Sequence, residues 1–394
     1  MTAMVFPGGM ISKQLVPLVL ILLNFATGLV IDIYTPCLPS IQEYFHASQL
    51  QVRLTMIMLS TAATIGIPFW GPLSDRFGRK TILLIGQFIF ILGLLGAIFA
   101  SSIEMLIGFR FVQGVGTSAI GAVSFAMISD WFKGPTRLTY FSYIGATITL
   151  TLVIGPLIGG YLHDNWQGCF IIVLVMAIPG FLALMLCPES LTDRQPFSVG
   201  RTFRTYLQMA TSLPCIGYAA LAPLLIGALV SFAVNGAFYY MVDLGMDPKV
   251  YSWHQAFIML INTVANISAG RLVGRWGEGR LIGISLILLG IAVVGLLIIG
   301  LGSMSVPILI TGCISLISTA LGFSFSIYLG RAMAVYPDFV GAASSFISLL
   351  RSLIIGITIA VSGWFYNHEV TSVTILPIII VAVFYLILWQ ISRK

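Results

Sequence analysis

Apolar residues run through this chain in long blocks that polar clusters interrupt at nearly regular intervals. The blocks show neither the two-residue alternation of a half-buried strand nor the narrow stripe of a surface helix. They are apolar all round. Each approaches the roughly 20 residues that a helix needs to cross the hydrocarbon of a bilayer. The pattern predicts spans at about 14–38, 51–72, 80–100, 104–128, 136–162, 166–187, 214–241, 251–273, 280–301, 306–330, 340–363 and 371–391. Twelve such helices leave almost no sequence for a domain outside the membrane. A β-barrel is disfavoured because the blocks do not alternate. The first block is too long for a cleaved signal and lacks an Ala-x-Ala exit.

Composition agrees: 58% of residues are hydrophobic and only 8% are charged. The net charge of +6 would suggest a nucleic-acid partner in a soluble protein, but its placement gives another answer. With the N-terminus in the cytoplasm, Lys13, Arg76, Arg79, Lys80, Lys133, Arg137, Arg194, Arg201, Arg204, Arg271, Arg275, Arg280, Arg331, Arg393 and Lys394 fall inside. Only Arg53 and Lys249 fall outside, while Arg110 and Arg351 fall within spans. Fifteen against two predicts cytoplasmic termini by the positive-inside rule. The five cysteines (Cys37, Cys169, Cys187, Cys215 and Cys313) are scattered in or near spans and read as packing residues. The four histidines map to outer loops or helix ends without metal-ligand spacing, so no metal site is expected. No nucleotide loop or catalytic dyad is present in the pattern, and no enzyme activity or cofactor is expected.

The longest polar connector, from about Pro188 to Leu213, divides the chain into a bundle over 1–190, a linker over 191–213 and a bundle over 214–394. Arg194, Arg201 and Arg204 interleave there with Phe197, Phe203 and Tyr206, the composition of a short amphipathic helix on an anionic leaflet.

An ionisable group inside a span is costly and therefore a functional candidate. Three qualify: Asp32, Arg110 and Arg351. On the first span Asn24, Gly28, Asp32 and Thr35 fall at i, i+4, i+8 and i+11, a small and polar stripe expected to face a watery cavity. A carboxylate held there can take up and release a proton, and a guanidinium from Arg110 close to it would make that exchange sensitive to their separation. Gln113 is suited to satisfy buried polar neighbours. Asn235 on span seven, with Asn262 and Asn266 one turn apart on span eight, are candidates for substrate contact or for helix–helix glue.

Several stretches carry a family resemblance. Gly71-Pro72-Leu73-Ser74-Asp75-Arg76-Phe77-Gly78-Arg79-Lys80 crowds four charges into one connector. It resembles the G-x-L-x-D-R-x-G-R-K loop between the second and third helices of the major facilitator superfamily. Gly270, Leu272, Arg275 and Gly277 repeat Gly71, Leu73, Arg76 and Gly78 at an offset of 199 residues (270 minus 71), with Gly274 in the place of Asp75. The resemblance implies two pseudo-symmetric six-helix bundles with a substrate site between them near mid-membrane. Arg110, Gln113 and Gly114 resemble the superfamily's R-x-x-Q-G motif, whose arginine supports proton transfer in several exporters. Gly155-Pro156-Leu157-Ile158-Gly159-Gly160 resembles the G-P-x-x-G-G motif of antiporters, where proline bends the span and glycines admit a neighbouring helix.

Asp32-Ile33-Tyr34-Thr35-Pro36-Cys37-Leu38-Pro39, with Arg351 on span eleven, is similar to the Bcr/CflA branch of drug:proton antiporters. Asn24 stands where other multidrug exporters carry a glutamate, which speaks against two-carboxylate coupling and against lipophilic cations as preferred substrates. The resemblance implies a monomeric, multi-pass exporter of the bacterial inner membrane that exchanges protons for amphiphilic small molecules. Its expected substrates are phenicol-like or quinolone-like drugs or a carboxylate siderophore, and proton-coupled nutrient uptake is the rival. Asp32 and Arg110 are expected to couple protons. Asn24, Asp32, Tyr34, Arg110, Asn235, Asn262, Asn266 and Arg351 are expected to contact substrate. The aspartate of the opening motif, Asp75, is expected to latch onto the start of span eleven around Gly341-Ala342-Ala343.

Overall fold

The structure, a computed structural model, describes residues 13–191, 207–303, 305–335 and 340–392. Twelve helices in it are long and apolar enough to cross a membrane. We number them in chain order. The first, α1, covers Val16–Tyr44 as a helix to Asp32, a tight turn over Thr35–Cys37 and a short helix from Leu38. Then follow α2 (Gln49–Phe77), α3 (Arg79–Ile98), α4 (Ile103–Trp131), α5 (Gly134–Tyr161) and α6 (Trp166–Leu186). The second set is α7 (Leu213–Phe238), α8 (Pro248–Trp276), α9 (Glu278–Leu301), α10 (Pro307–Ala334), α11 (Val340–Ser362) and α12 (Thr371–Ser392).

Local chemistry sets the breaks. Pro36 and Pro39 lack the amide donors that a continuing helix needs, so α1 stops being regular immediately after Asp32. Ser48 and Gln51 form a reciprocal capping box that starts α2. The charged connector between spans two and three is not a loop, as the sequence pattern suggested. Gly71 to Phe77 continue α2 as helix, and only Gly78, at φ +105°, separates it from α3. Gly277 does the same between α8 and α9 at φ +78°, so the repeated motif is one backbone device used twice.

The largest apolar cluster draws wholly on residues of α7–α12 and the turns between them, while two others belong mainly to α1–α6. Val234, Phe238 and Ile359 of the second set bury themselves in a cluster of the first. The two sets meet chiefly where α2 packs on α11 and α5 packs on α8. The named contacts lie on the face of the molecule away from the chain ends, here called the far side.

Near the middle, α1 and α5 approach closely. A Cβ built at Gly155 would lie 2.5 Å from the Asp32 Cβ, and one at Gly159 would run into the Ile33 carbonyl. Gly155→Val and Gly159→Leu should each cost about 1–3 kcal/mol by overpacking this contact. Thermal unfolding in detergent checks this, and unchanged midpoints would place the two helices further apart than described.

Candidate functional site: a mid-membrane cavity with two accessible charges

Along the first helical segment of α1, accessible surface is confined to Leu18, Ile21, Leu22, Phe25, Gly28, Ile31 and Asp32, essentially one face of the helix. The remaining faces are covered by α4, α5 and α6. Asp32 is enclosed by protein yet keeps accessible surface, the signature of a side chain on an internal cavity. Its carboxylate accepts a hydrogen bond from the Thr151 hydroxyl of α5.

Arg351 shows the same combination. It is accessible although protein encloses it, and no hydrogen bond, ion pair or ring contact engages it among the described residues. Leu353 (46% exposed) and Ile357 (61%), continued by Trp364 (85%) in the turn that follows, mark the lipid-facing stripe of α11. Arg351 is two residues from Leu353, about 200° around the helix, and so points inward. With α2 and α7 packed on the flanks of α11, the inward face meets the space between the two sets of helices. Depth agrees as well. Asp32 is residue 17 of 29 in α1 and Arg351 is residue 12 of 23 in α11, both near the middle of their spans.

Arg110 does not join them. It is fully buried and approaches the back of α1, where it donates to the Val30 carbonyl at 3.4 Å and to Gln113 Oε1 at 2.9 Å. Its guanidinium stacks on the Tyr34 ring at 4.2 Å and lies 5.7 Å from Phe170. Tyr34, itself fully buried, donates to Thr55 Oγ1 at 2.9 Å, and Gln113 donates to the Gly93 carbonyl at 3.0 Å. Val30 is two residues from Asp32 and therefore on the opposite side of the helix. The expected pairing of Arg110 with Asp32 is absent, because the carboxylate faces the cavity while the arginine lies behind it.

The amides divide similarly. Asn24 is 5% exposed and donates to the Leu20 carbonyl at 2.7 Å and to Ser124 Oγ on α4 at 2.9 Å, so it joins helices rather than lining the cavity. Thr35 is buried too, so the expected polar stripe reaches the cavity only at Gly28 and Asp32. Asn262 donates to the Ser318 carbonyl on α10 at 2.9 Å, and Asn266 is partly exposed one turn along α8. Gly114 packs against Leu59 and Ala62 of α2, and Pro156 is buried in α5.

Asn235 belongs to a structure on the far side. It donates to the carbonyls of Ser362 (3.0 Å) and Ser372 (2.7 Å) and accepts from Arg53 Nη2 at 3.0 Å. Arg53 is 3% exposed and packs over the rings of Phe238 (5.5 Å) and Tyr366 (5.2 Å), a plug from the first half in an aromatic socket of the second. The Tyr366 hydroxyl donates to Asp243 Oδ2 at 2.7 Å, and Asp243 Oδ1 lies 2.8 Å from His368 Nδ1. Burial and the neighbouring Asp243 carboxylate push the Tyr366 phenol well above its usual range, so it stays a donor. The sequence pattern had placed Arg53 on the outer side, at the start of span two. Its one available signal was rarity, since only two basic residues map to that side.

On the side of the chain ends, Asp75 pairs with Arg79 at 2.5 Å, and Arg79 also reaches Asp130 Oδ2 at 3.2 Å and Ser74 Oγ at 2.5 Å. Glu189 accepts from the backbone N–H groups of Arg79 and Lys80, filling the exposed donors at the start of α3. Lys80 donates to the Met185 carbonyl at 2.7 Å, and Arg76 lies over the Phe77 ring. In the second half Glu278 follows Gly277 as Arg79 follows Gly78, and it pairs with Arg331 at 3.0 Å. The device is thus repeated with its charges reversed. The side chains of the residues expected to receive Asp75, Gly341 to Ala343, lie outside the described residues, as do Arg194, Arg201 and Arg204 of the linker.

The family model of the Major Facilitator Superfamily matches residues 20–359, and the chain belongs to that family. It is 27% identical over 343 residues to the chloramphenicol resistance protein CraA of Acinetobacter baumannii, 85% of this chain and 82% of that protein. It is 26% identical over 382 residues to the multidrug resistance protein MdtL of Shewanella oneidensis, covering 91% and 90%. Among solved structures, a bacterial homologue of the human lysosomal transporter Spinster superposes with a TM-score of 0.73 over 97% of both chains at 14% identity, a likeness of fold. The chain is a multi-pass membrane transporter, not an enzyme.

Arg53→Met keeps the bulk of the plug but leaves Asn235 Oδ1 without its donor, at a cost of about 1–3 kcal/mol to the closed far side. That shifts the balance toward opening there by about tenfold. Spin labels on the far ends of α2 and α11 should report longer separations, and an unchanged distribution would contradict the plug.

Proposed function

We propose that the chain is a proton-driven exporter of neutral or acidic amphiphilic molecules in a bacterial inner membrane, with both ends in the cytoplasm. The observation that carries this reading is the pair Asp32 and Arg351: opposite charges at mid-span, each enclosed yet accessible, neither neutralised by the other. The drug-resistance names of relatives that match most of the chain support export of drugs. The excess of basic residues on the side of the chain ends supports the orientation.

The chemistry follows from the two groups. With Arg110 set aside in its own pocket, the cavity charge is zero when Asp32 is ionised (−1 plus +1) and +1 when it is protonated. Such a space favours neutral, zwitterionic or acidic guests over dications. A phenicol-like drug suits it, and so does a carboxylate metabolite whose acid meets the Arg351 fork. Asp32 takes a proton when the cavity opens to the far side and gives it up when the cavity opens to the cytoplasm and substrate enters. Opening the far side requires Arg53 to leave its socket and α5 to slide on α8.

Asp32→Asn keeps the volume of the side chain but cannot titrate. Vesicles containing the folded variant should lose chloramphenicol export driven by a pH gradient, and full activity there would remove Asp32 from coupling. Arg351→Lys keeps the charge and loses the planar fork. It should weaken binding of a carboxylic acid substrate about tenfold, roughly 1.4 kcal/mol, and its methyl ester far less. Equal losses for acid and ester would take Arg351 out of recognition.

A further inference from the structure

One residue that the family motifs do not include holds the proposed proton site. Thr151 of α5 is fully buried, and its hydroxyl is the only side-chain partner of Asp32 among the described residues. The backbone geometry fixes this placement. A Cβ built at Gly28, one turn before Asp32, would lie 3.0 Å from Thr151 Oγ1, so a larger residue there would crowd the hydroxyl. Thr151, Gly155 and Gly159 follow at i, i+4 and i+8, one face of α5 laid along Gly28, Asp32 and Ile33. The next residue, Gly160, abuts Ser252 and Pro248 of α8, in the other half of the molecule. The helix that carries the hydroxyl therefore also packs directly on the other half.

We propose that Thr151 is a positioning residue for proton exchange, its hydroxyl holding one carboxylate oxygen of Asp32 so that the other faces the cavity. The inference rests on the reading of Asp32 as the proton carrier. Movement of α5 against α8 changes the reach of that hydroxyl, and so links the position of the halves to the state of the carboxylate. Other ionisable groups around this stretch of α1 are engaged elsewhere. Arg110 of α4 is turned to Val30 and Tyr34, and Cys169 of α6 meets Cys37 and the Ile33 carbonyl. Arg351 of α11 stands across the cavity without an ion pair to Asp32.

The test uses the whole protein in lipid discs and the infrared band of the protonated carboxyl that Asp32→Asn removes. Thr151→Val deletes the hydroxyl at nearly constant shape, and Thr151→Ser retains it. The pH midpoint of the band should move by about one unit in Thr151→Val and return to the wild-type value in Thr151→Ser. Chloramphenicol export under a pH gradient should fall about tenfold in the valine variant, with chloramphenicol affinity nearly unchanged. If the valine variant does not fold, Thr151→Ala provides the same readout without added bulk. An unmoved midpoint overturns the role of Thr151 and leaves that of Asp32 standing. A serine variant that behaves like the valine variant also overturns it, since the shift would then come from repacking. A band that Asp32→Asn does not remove at any pH overturns the proton-carrying reading, and the inference with it.

Discussion

A charged side chain at mid-membrane depth has no bulk water around it, so it must be enclosed by partners or open onto a water-filled space. This constraint sorts the charges of the chain more sharply than their positions in the sequence do. Arg110, and Arg53 nearer the far side, meet it by enclosure, each with amide and aromatic partners and almost no accessible surface. Asp32 and Arg351 meet it by exposure to the cavity, with one hydroxyl partner and none, respectively. The first pair holds helices in place. The second keeps its accessible surface, as the proposed exchange of protons and substrate requires.

The same constraint explains why the small residues cluster on α5. Seating a carboxylate in the middle of a helix bundle requires a neighbour close enough to offer a hydroxyl, and Gly155 and Gly159 bring α5 that close. Because Gly160 also touches α8, the contact that shelters Asp32 is continuous with the contact between the halves. The far side is held by the Arg53 plug, whose partners Asn235, Phe238 and Tyr366 all come from the other half. A rocking motion that opens the far side therefore disturbs the plug and the shelter of Asp32 together.

The twelve spans, the repeated glycine motif and the two cavity charges were legible in the sequence because depth and helical spacing are properties of a single helix. What a residue faces across helices was not. Arg110 and Asp32 sit at compatible depths, but only packing shows that the arginine approaches α1 from behind. Asn24 shares a helical stripe with Asp32, yet Ser124, a hundred residues away, claims it. Arg53 read as an outer-side cation because it opens span two, and its aromatic socket is assembled from the opposite half. Thr151 carried no signal, since a threonine within a span commonly bonds its own helix. The charged connector misled for a local reason: four charges suggest a loop, whereas Gly78 alone supplies the turn.

The central claim is that substrate and proton are exchanged at Asp32. The most direct measurement adds chloramphenicol to purified protein in weakly buffered detergent solution and follows the proton count with a pH indicator. The account predicts proton release from the wild type as the drug binds, and none from Asp32→Asn protein that still binds it. Binding without release from the wild type, or equal release from both proteins, would contradict it.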